Sequence, residues 1–295
     1  MFVKKIIPQY FKNKRRSLPY IQRKQAKKLA STSKRIDICA AQFAHSLHLK
    51  DQLSLSGKVC LEIGSGWVLS HALICHLLGA KRVIATDVTT LAKPQYLYRA
   101  LHESVISIIR DVLSPYEDHT LIRKRLENLL NIKHFNHATL KELGIEYIAP
   151  VDLANNKLDI AVDFIYSNSV LEHVPVDEVA PLLKNLSKDL KPNGIMIHRI
   201  HLEDHKSISD NPFGFLAIPE KNYASDLQSK RGNRIRKSTW LKLFNDISNI
   251  RSEAIYEWTR ENKKLPSSID QSIAYIDQAD LMISHLGIFS KKNTD

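Results

Sequence analysis

The chain has 295 residues, 43% of them hydrophobic, and 43 Lys and Arg stand against 31 Asp and Glu. That length and apolar content suffice for one large core, or for one core with an inserted subdomain, with no need of disulfide staples. No apolar run approaches the length of a membrane-spanning helix, and the N-terminus lacks the apolar stretch of a signal peptide. Three cysteines, Cys39, Cys60 and Cys75, are an odd number, and Cys60 and Cys75 read as core thiols in a reducing cytosol.

The net charge of +12 is concentrated at one end. Residues 1 to 36 contain twelve bases and no acid, whereas the rest of the chain holds 31 bases and 31 acids. Phe2, Ile6, Ile7, Tyr10, Phe11 and Tyr20 are interleaved with those bases. A basic and aromatic arm over residues 1–34 has the composition to lie on an anionic membrane surface or, as the less favoured partner, to track a phosphate backbone of nucleic acid. A solvated helical extension is the plainer alternative. The protein is accordingly expected to be cytoplasmic, peripheral on the inner membrane surface if the arm attaches.

Ile36, Cys39, Ala40, Phe43 and Leu47 recur at helical spacing, which predicts an amphipathic helix over Arg35 to Leu49 and a domain spanning residues 35–295. The turn Ser54-Leu55-Ser56-Gly57 leads into the segment that organises the rest, Lys58 to Asp87. Val59 to Ile63 is a short apolar run, read as a buried parallel strand, and Gly64-Ser65-Gly66 follows as a tight turn. Trp67 to Leu78 is predicted helical, Gly79 ends that helix, and Val83 to Thr86 is a second strand closed by Asp87. Glycines that admit a ligand to the backbone, with a carboxylate at the tip of the next strand, suit an adenosine-type ligand. A dinucleotide fingerprint would place a third glycine where Leu69 stands, and Glu62 would repel a pyrophosphate but suit a ligand that carries an ammonium group. An amino-acid-bearing nucleoside therefore fits better than NAD.

Val88 to Gly144 is a long connection with apolar positions in Tyr96 to Leu113 and Leu121 to Ile132, so a helical insertion is expected over about 88–144. Ile145 to Val151 reads as the third strand and Asp163 to Asn168 as the fourth. Glu178 to Leu190 is a helix that Asn193-Gly194 closes, and Ile195 to Ile200 is the fifth strand. Ser238 is expected to cap a helix over Thr239 to Ile247. Ile250 to Trp258 and Leu281 to Ser290 are the closing strands, with a helix expected between them around Ile269 to Ile276.

LEIGSG followed by ATDV resembles motifs I and II of class I S-adenosylmethionine-dependent methyltransferases, and DFIYSNSVLEHV resembles their motif IV. HRIHLEDH, NPFGFL and NRIRKSTWLKLF are similar to segments of one bacterial group of these enzymes, and the resemblance covers about Gly57 to Lys291. It implies an α/β, doubly wound, Rossmann-like domain: a seven-stranded, mostly parallel sheet with helices on both faces and a helical insertion after strand 2. It also implies S-adenosyl-L-methionine as cofactor. Glu62 would meet the donor's amino-acid end, Gly64, Ser65 and Gly66 would cradle it, Asp87 would hold the ribose and Asp152 the adenine amino group. Val88, Leu153 and Asn168 complete the expected donor contacts. Asp152 as a plain loop or helix-cap carboxylate is the competing reading.

Methyl transfer from a sulfonium needs in-line placement, and a hydroxyl acceptor also needs a base. His173, His201, Asp204 and His205 fall after strands four and five, so Asp204 with His205, or His173 alone, is the expected catalytic group. A packing or capping role for His173 is the alternative. His201, Arg234 and Arg236, with Arg199, suit an acidic or phosphorylated acceptor. Glu172, His173, His201 and His205 include metal-ligand types, but their spacing matches no tight metal motif, and no metal is expected. The expected activity is methyl transfer to oxygen or nitrogen of a polar small-molecule, sugar or glycolipid-precursor acceptor. An RNA methyltransferase using the basic arm, a non-catalytic adenosyl-ligand module and a nicotinamide oxidoreductase are the rival readings.

Overall fold

The computed structural model describes residues 35–50, 53–223 and 230–294. The basic arm over residues 1–34, with its expected membrane or nucleic-acid contacts, lies outside the described residues. Among the described residues no helix is long and apolar enough to cross a membrane.

Seven strands form one sheet: β1 (Val59–Ile63), β2 (Arg82–Thr86), β3 (Ile145–Ile148), β4 (Val162–Asn168), β5 (Leu190–His201), β6 (Ile250–Thr259) and β7 (Ile283–Lys292). Their order is β3-β2-β1-β4-β5-β7-β6. All neighbouring pairs are parallel except those made by β7, which runs antiparallel to both β5 and β6. The chain is thus an α/β, doubly wound, Rossmann-like domain with a seven-stranded, mostly parallel sheet, as its apolar strands and intervening helices predict. β1 is buried along Cys60 to Ile63, the pattern of a strand covered on both faces.

One face of the sheet packs on α1 (Ile36–His48) and α2 (Ser70–Leu77). Ile36, Phe43 and Leu47 of α1 are fully buried, so the helical spacing read from the sequence is the face that meets the sheet. The connection after β2 contains α3 (Pro94–His102), α4 (Ile106–Leu113), α5 (His119–Leu130) and α6 (His137–Glu142). Pro94 starts α3 where a missing N–H costs nothing. Asp118 caps α5 through the N–H groups of Thr120 and Leu121, and Asn136 caps α6 through Thr139. Ile109, Leu113, Ile122 and Leu129 bury into the same core as α1 and α2. The insertion therefore thickens one layer of the domain.

The opposite face is covered by α7 (Val176–Asp189) and α8 (Lys237–Asn245), whose Leu183, Trp240 and Phe244 are fully buried. Two long connections, described over residues 202–223 and 230–236 and over residues 260–282, leave the sheet where β5 and β6 end and β7 begins. Phe213, Phe215, Leu216, Tyr223, Ile273 and Leu281 give them a small core of their own.

Four local expectations are corrected. α2 starts at Ser70 and not at Trp67, because Leu69 is left-handed (φ 58°) and ends the glycine turn. α7 stops at Asp189, since Pro192 disfavours helix just before it, and Asn193-Gly194 falls inside β5. Residues 269–276 are not helical; the only regular helix in that loop is α9 (Gln278–Met282). Ser238 does not cap α8: it sits inside the helix and its N–H and Oγ–H both donate to Asp280, which closes the helix start from across the fold.

β5 also carries His198, fully buried, with Nδ1 2.7 Å from Ser167 Oγ and its ring against Phe244. Burial pulls its pKa from 6.5 down to about 3. The unfolded chain takes up this proton near pH 6.5 and the folded chain does not, so the stability contribution is complete above pH 6.5 and is lost as pH falls toward 3. His76, lowered to about 4 by burial, acts with the same sign. Urea titrations of His198→Gln between pH 6 and 4 are expected to show a stability slope shallower by about 1.4 kcal/mol per pH unit. An unchanged slope would remove His198 from the account.

Candidate functional site

β1 and β4 are neighbours, and from them the chain proceeds outward in opposite directions, to β2 and to β5. Such a switch point leaves a crevice outside the carboxyl ends of the two strands. Gly64, Ser65 and Gly66 leave β1 there, and Asn168 and Ser169 leave β4. Together with Trp67, Val68, Ser70 and His71 they line a cavity of about 150 Å³. This is less than the roughly 300–1,000 Å³ of pockets that enclose a drug-sized ligand, so the cavity has room for only part of such a molecule.

The turn is held open by backbone geometry. Gly64 and Gly66 have φ of +67° and +62°. The N–H and the hydroxyl of Ser65 both donate to the carbonyl of Thr86, at 2.9 and 3.0 Å, and the N–H of Gly66 donates to Asp87 Oδ2 at 2.9 Å. An added Cβ at Gly66 would meet no atom within 4 Å, so the open side of the turn is free backbone that a ligand can approach.

Asp87 also accepts from Thr89 N–H through Oδ1, and burial pushes its pKa up. Each carboxylate oxygen has a second lone pair for a hydroxyl donor. Val88 beside it is 68% exposed, an apolar surface on which a flat ring can rest.

The other expected donor contacts divide. Gly64, Ser65, Gly66 and Asn168 line the cavity, whereas Glu62 does not. Glu62 is 3% exposed and turned toward the first turn of α2, where Oε2 accepts from Ala72 N–H and Oε1 lies 3.3 Å from His71 Nδ1. A helix start attracts a carboxylate, and His71 takes the place at the cavity wall. Burial alone would lower the His71 pKa, but hydrogen bonds with Cys39 and Glu62 hold it above its ordinary value. Asp152 accepts from Ala154 N–H and Asn155 Nδ2 and its carbonyl from Asn156, so it ties its own loop. Leu153 is buried in the core beneath α7, and its carbonyl accepts from Asn185.

Beside the cavity a single turn of 3-10 helix, Leu171–His173, follows the left-handed Ser169. Asn233 fixes this turn: its Nδ2 donates to the carbonyls of Leu171 and Val174, and its N–H to the carbonyl of Glu172. Four imidazoles then run along the sheet edge, with ring centroids 4.5 Å apart for His173 and His205, 4.4 Å for His205 and His201, and 4.3 Å for His201 and His285. His201 Nε2 donates to Glu203 Oε2 at 2.8 Å, and Arg260 Nε donates to Glu203 Oε1 at 2.9 Å. Burial favours a neutral Glu203, but His201 and Arg260 hold its pKa below the ordinary value. A carboxylate that accepts the Nε2 hydrogen fixes the His201 ring and leaves Nδ1 as its basic nitrogen.

The expected pairing of Asp204 with His205 is corrected. Asp204 is buried and accepts from Arg231 and from the N–H of Lys206, while the carboxylate nearest to His205 is Glu172, with 3.5 Å between Oε1 and Nε2. The carboxylate-oriented histidine is instead His201, two residues before Glu203. Arg234 and Arg236 are corrected as well. Arg234 donates to the carbonyl of Ile218 and to Glu220, and its guanidinium lies 4.0 Å from the centre of the Tyr223 ring. Arg236 is fully buried and donates to the carbonyls of Leu202, Leu281 and Ile283. Both arginines hold the two loops together, and neither faces the cavity. Arg199 is likewise engaged, by the carbonyl of Gln42 and the hydroxyl of Tyr256.

Glu203, His285, Asn233, His71 and Ser169 were not singled out by sequence reasoning. Ser169 lies within a recognised motif and His71 close after one, so both were within reach; His285 lies far along the chain and joins the site only through the pairing of β5 with β7.

No protein-family model and no curated protein matches the chain. Among solved structures it is similar to an S-adenosylmethionine-dependent methyltransferase of Mesorhizobium loti, at 15% identity and TM-score 0.45 over 84% of this chain and 98% of that one. The YcgJ protein of Bacillus subtilis aligns at 12% identity and TM-score 0.46 over 86% of this chain and all of that one. The mitomycin 7-O-methyltransferase MmcR aligns at 15% identity and TM-score 0.46, over 97% of this chain and 61% of that one. These likenesses concern the path of the chain.

Proposed function

We propose that the chain is an S-adenosylmethionine-dependent methyltransferase acting on oxygen or nitrogen of a polar small-molecule, sugar or glycolipid-precursor acceptor. The observation that carries the reading is the left-handed glycine turn at the switch point, with Gly66 tied to Asp87 and its open side bare. The residues present suit that donor: bare backbone at Gly66, a carboxylate with spare lone pairs at Asp87, and the exposed apolar surface of Val88. When bound, S-adenosylmethionine supplies an electrophilic methyl group that needs no further activation.

The chain's own part is placement and proton removal. Asp87 receives hydroxyl hydrogens of the ribose, and the turn 64–66 sets the position of the ligand against the cavity wall. His201, oriented by Glu203, takes the acceptor proton on Nδ1, and Arg260 keeps Glu203 anionic so that the orientation persists. The row of polar rings beside the cavity favours a polar acceptor.

Calorimetric titration with S-adenosylmethionine and, in parallel, with NAD tests the reading. Binding of the first and not of the second is expected, weakened at least tenfold in Asp87→Ala, which loses both the ribose contact and the tie to Gly66. A folded protein that binds no S-adenosylmethionine would overturn it.

A further inference from the structure

We propose that Glu172, His173 and His205 bind one divalent transition-metal ion of the zinc or manganese class. Their ligand atoms, one carboxylate oxygen and two imidazole nitrogens, lie within 4.8 Å of one another. Ligands held about 2.1 Å from one ion stand roughly 3–3.5 Å apart, and the 3.5 Å between Glu172 Oε1 and His205 Nε2 already falls at that spacing. A direct hydrogen bond would want about 2.8–3.0 Å, and these two atoms make none.

The second observation is Glu172 itself. It is 1% exposed, and neither carboxylate oxygen accepts a hydrogen bond from any described residue. A buried carboxylate without donors costs several kcal/mol, and a cation between it and the two rings offsets that cost. The turn that presents Glu172 is fixed from outside by Asn233, through three hydrogen bonds to main-chain carbonyls, which hold the backbone that presents the carboxylate.

The neighbouring group of His201, Glu203 and His285 is also within 4.8 Å, but there Glu203 already accepts from His201 and Arg260. A cationic guanidinium on the only carboxylate of that group repels a metal ion. The two groups share the contact of His201 with His205, which places the ion next to the histidine assigned the proton transfer.

Two histidines and one carboxylate leave coordination positions open. An acceptor hydroxyl can occupy one of them and lose its proton more readily there. That role rests on the methyltransferase reading; binding of the ion does not.

The test uses the full chain after chelator treatment, titrated with Co²⁺ by its visible absorption and with Zn²⁺ by calorimetry. One equivalent of each is expected, with affinity reduced at least tenfold in Glu172→Gln and in His205→Ala, and kept within threefold in Glu203→Gln. His205 has 20% of its side chain exposed and so keeps the test alive if Glu172→Gln fails to fold. Melting without metal separates a ligand from a structural ion pair: Glu172→Gln should melt at or above the parent temperature, because a neutral amide removes an uncompensated charge. Absence of stoichiometric binding, binding undiminished in Glu172→Gln and His205→Ala, or binding lost in Glu203→Gln would overturn the proposal. These outcomes are independent of S-adenosylmethionine binding.

Discussion

Arg236→Met is expected to lower the stability of the folded chain by about 3 kcal/mol, and Arg236→Lys by at least as much. Arg236 is a fully buried cation whose pKa burial pulls down to about 10, so at neutral pH it still carries its charge. It is held by carbonyls: Leu202 at 2.9 Å, Leu281 at 3.1 Å and Ile283 at 2.6 Å. Removing the side chain relieves the cost of burying the charge but strands these acceptors and the more distant carbonyl of Asp280, each worth ~1–3 kcal/mol. Lysine keeps the buried charge and cannot span the same carbonyls with a planar fork. Urea midpoints of the two variants decide the matter. Rescue by lysine would mean that charge and not geometry is what residue 236 supplies.

Gly64→Ala is expected to abolish S-adenosylmethionine binding and to cost ~3 kcal/mol of stability, combining a left-handed residue with a steric clash. A Cβ there would lie 2.5 and 2.7 Å from the two methyl groups of Val170. Val170 is β-branched and has few rotamers to retreat into, and it directly precedes the turn that carries Glu172 and His173. Gly66→Ala, whose Cβ meets nothing within 4 Å, should cost only ~1 kcal/mol of stability while still obstructing the donor. The double variant Gly64→Ala with Val170→Ala should recover part of the stability lost by Gly64→Ala alone. Equal losses in Gly64→Ala and Gly66→Ala would show that conformation alone, and not the contact with Val170, governs the turn.

The glycine turn was legible in the sequence because its chemistry is local. The short apolar run before Gly64, the two glycines and Asp87 are close in the chain, and each specifies its own geometry. The carboxylates were less legible. Glu62 reads as a ligand contact from its place before Gly64, yet the start of α2 and His71 take it. Asp204 beside His205 reads as an acid-base pair, yet adjacent side chains diverge, and Asp204 goes to Arg231 while Glu203 reaches His201.

The basic residues before α8 show the same limit from the opposite direction. Arg234 and Arg236 look like surface cations, because a sequence displays charge and not burial. Only their contacts with Ile218, Ser272 and Leu281, all distant in the chain, turn them inward.

By itself the sequence determined the layered α/β plan, the strand that starts it and the turn where a ligand meets bare backbone, since periodicity and glycine placement act over a few residues. The tertiary structure alone decided which carboxylate serves which histidine. Glu172, His205, Glu203 and His285 come from three separate stretches, and their meeting depends on the register of β5 with β7 and on the anchoring of the 171–173 turn by Asn233. Contacts of that range follow from the packing of the whole sheet edge, to which no local pattern of residues gives access.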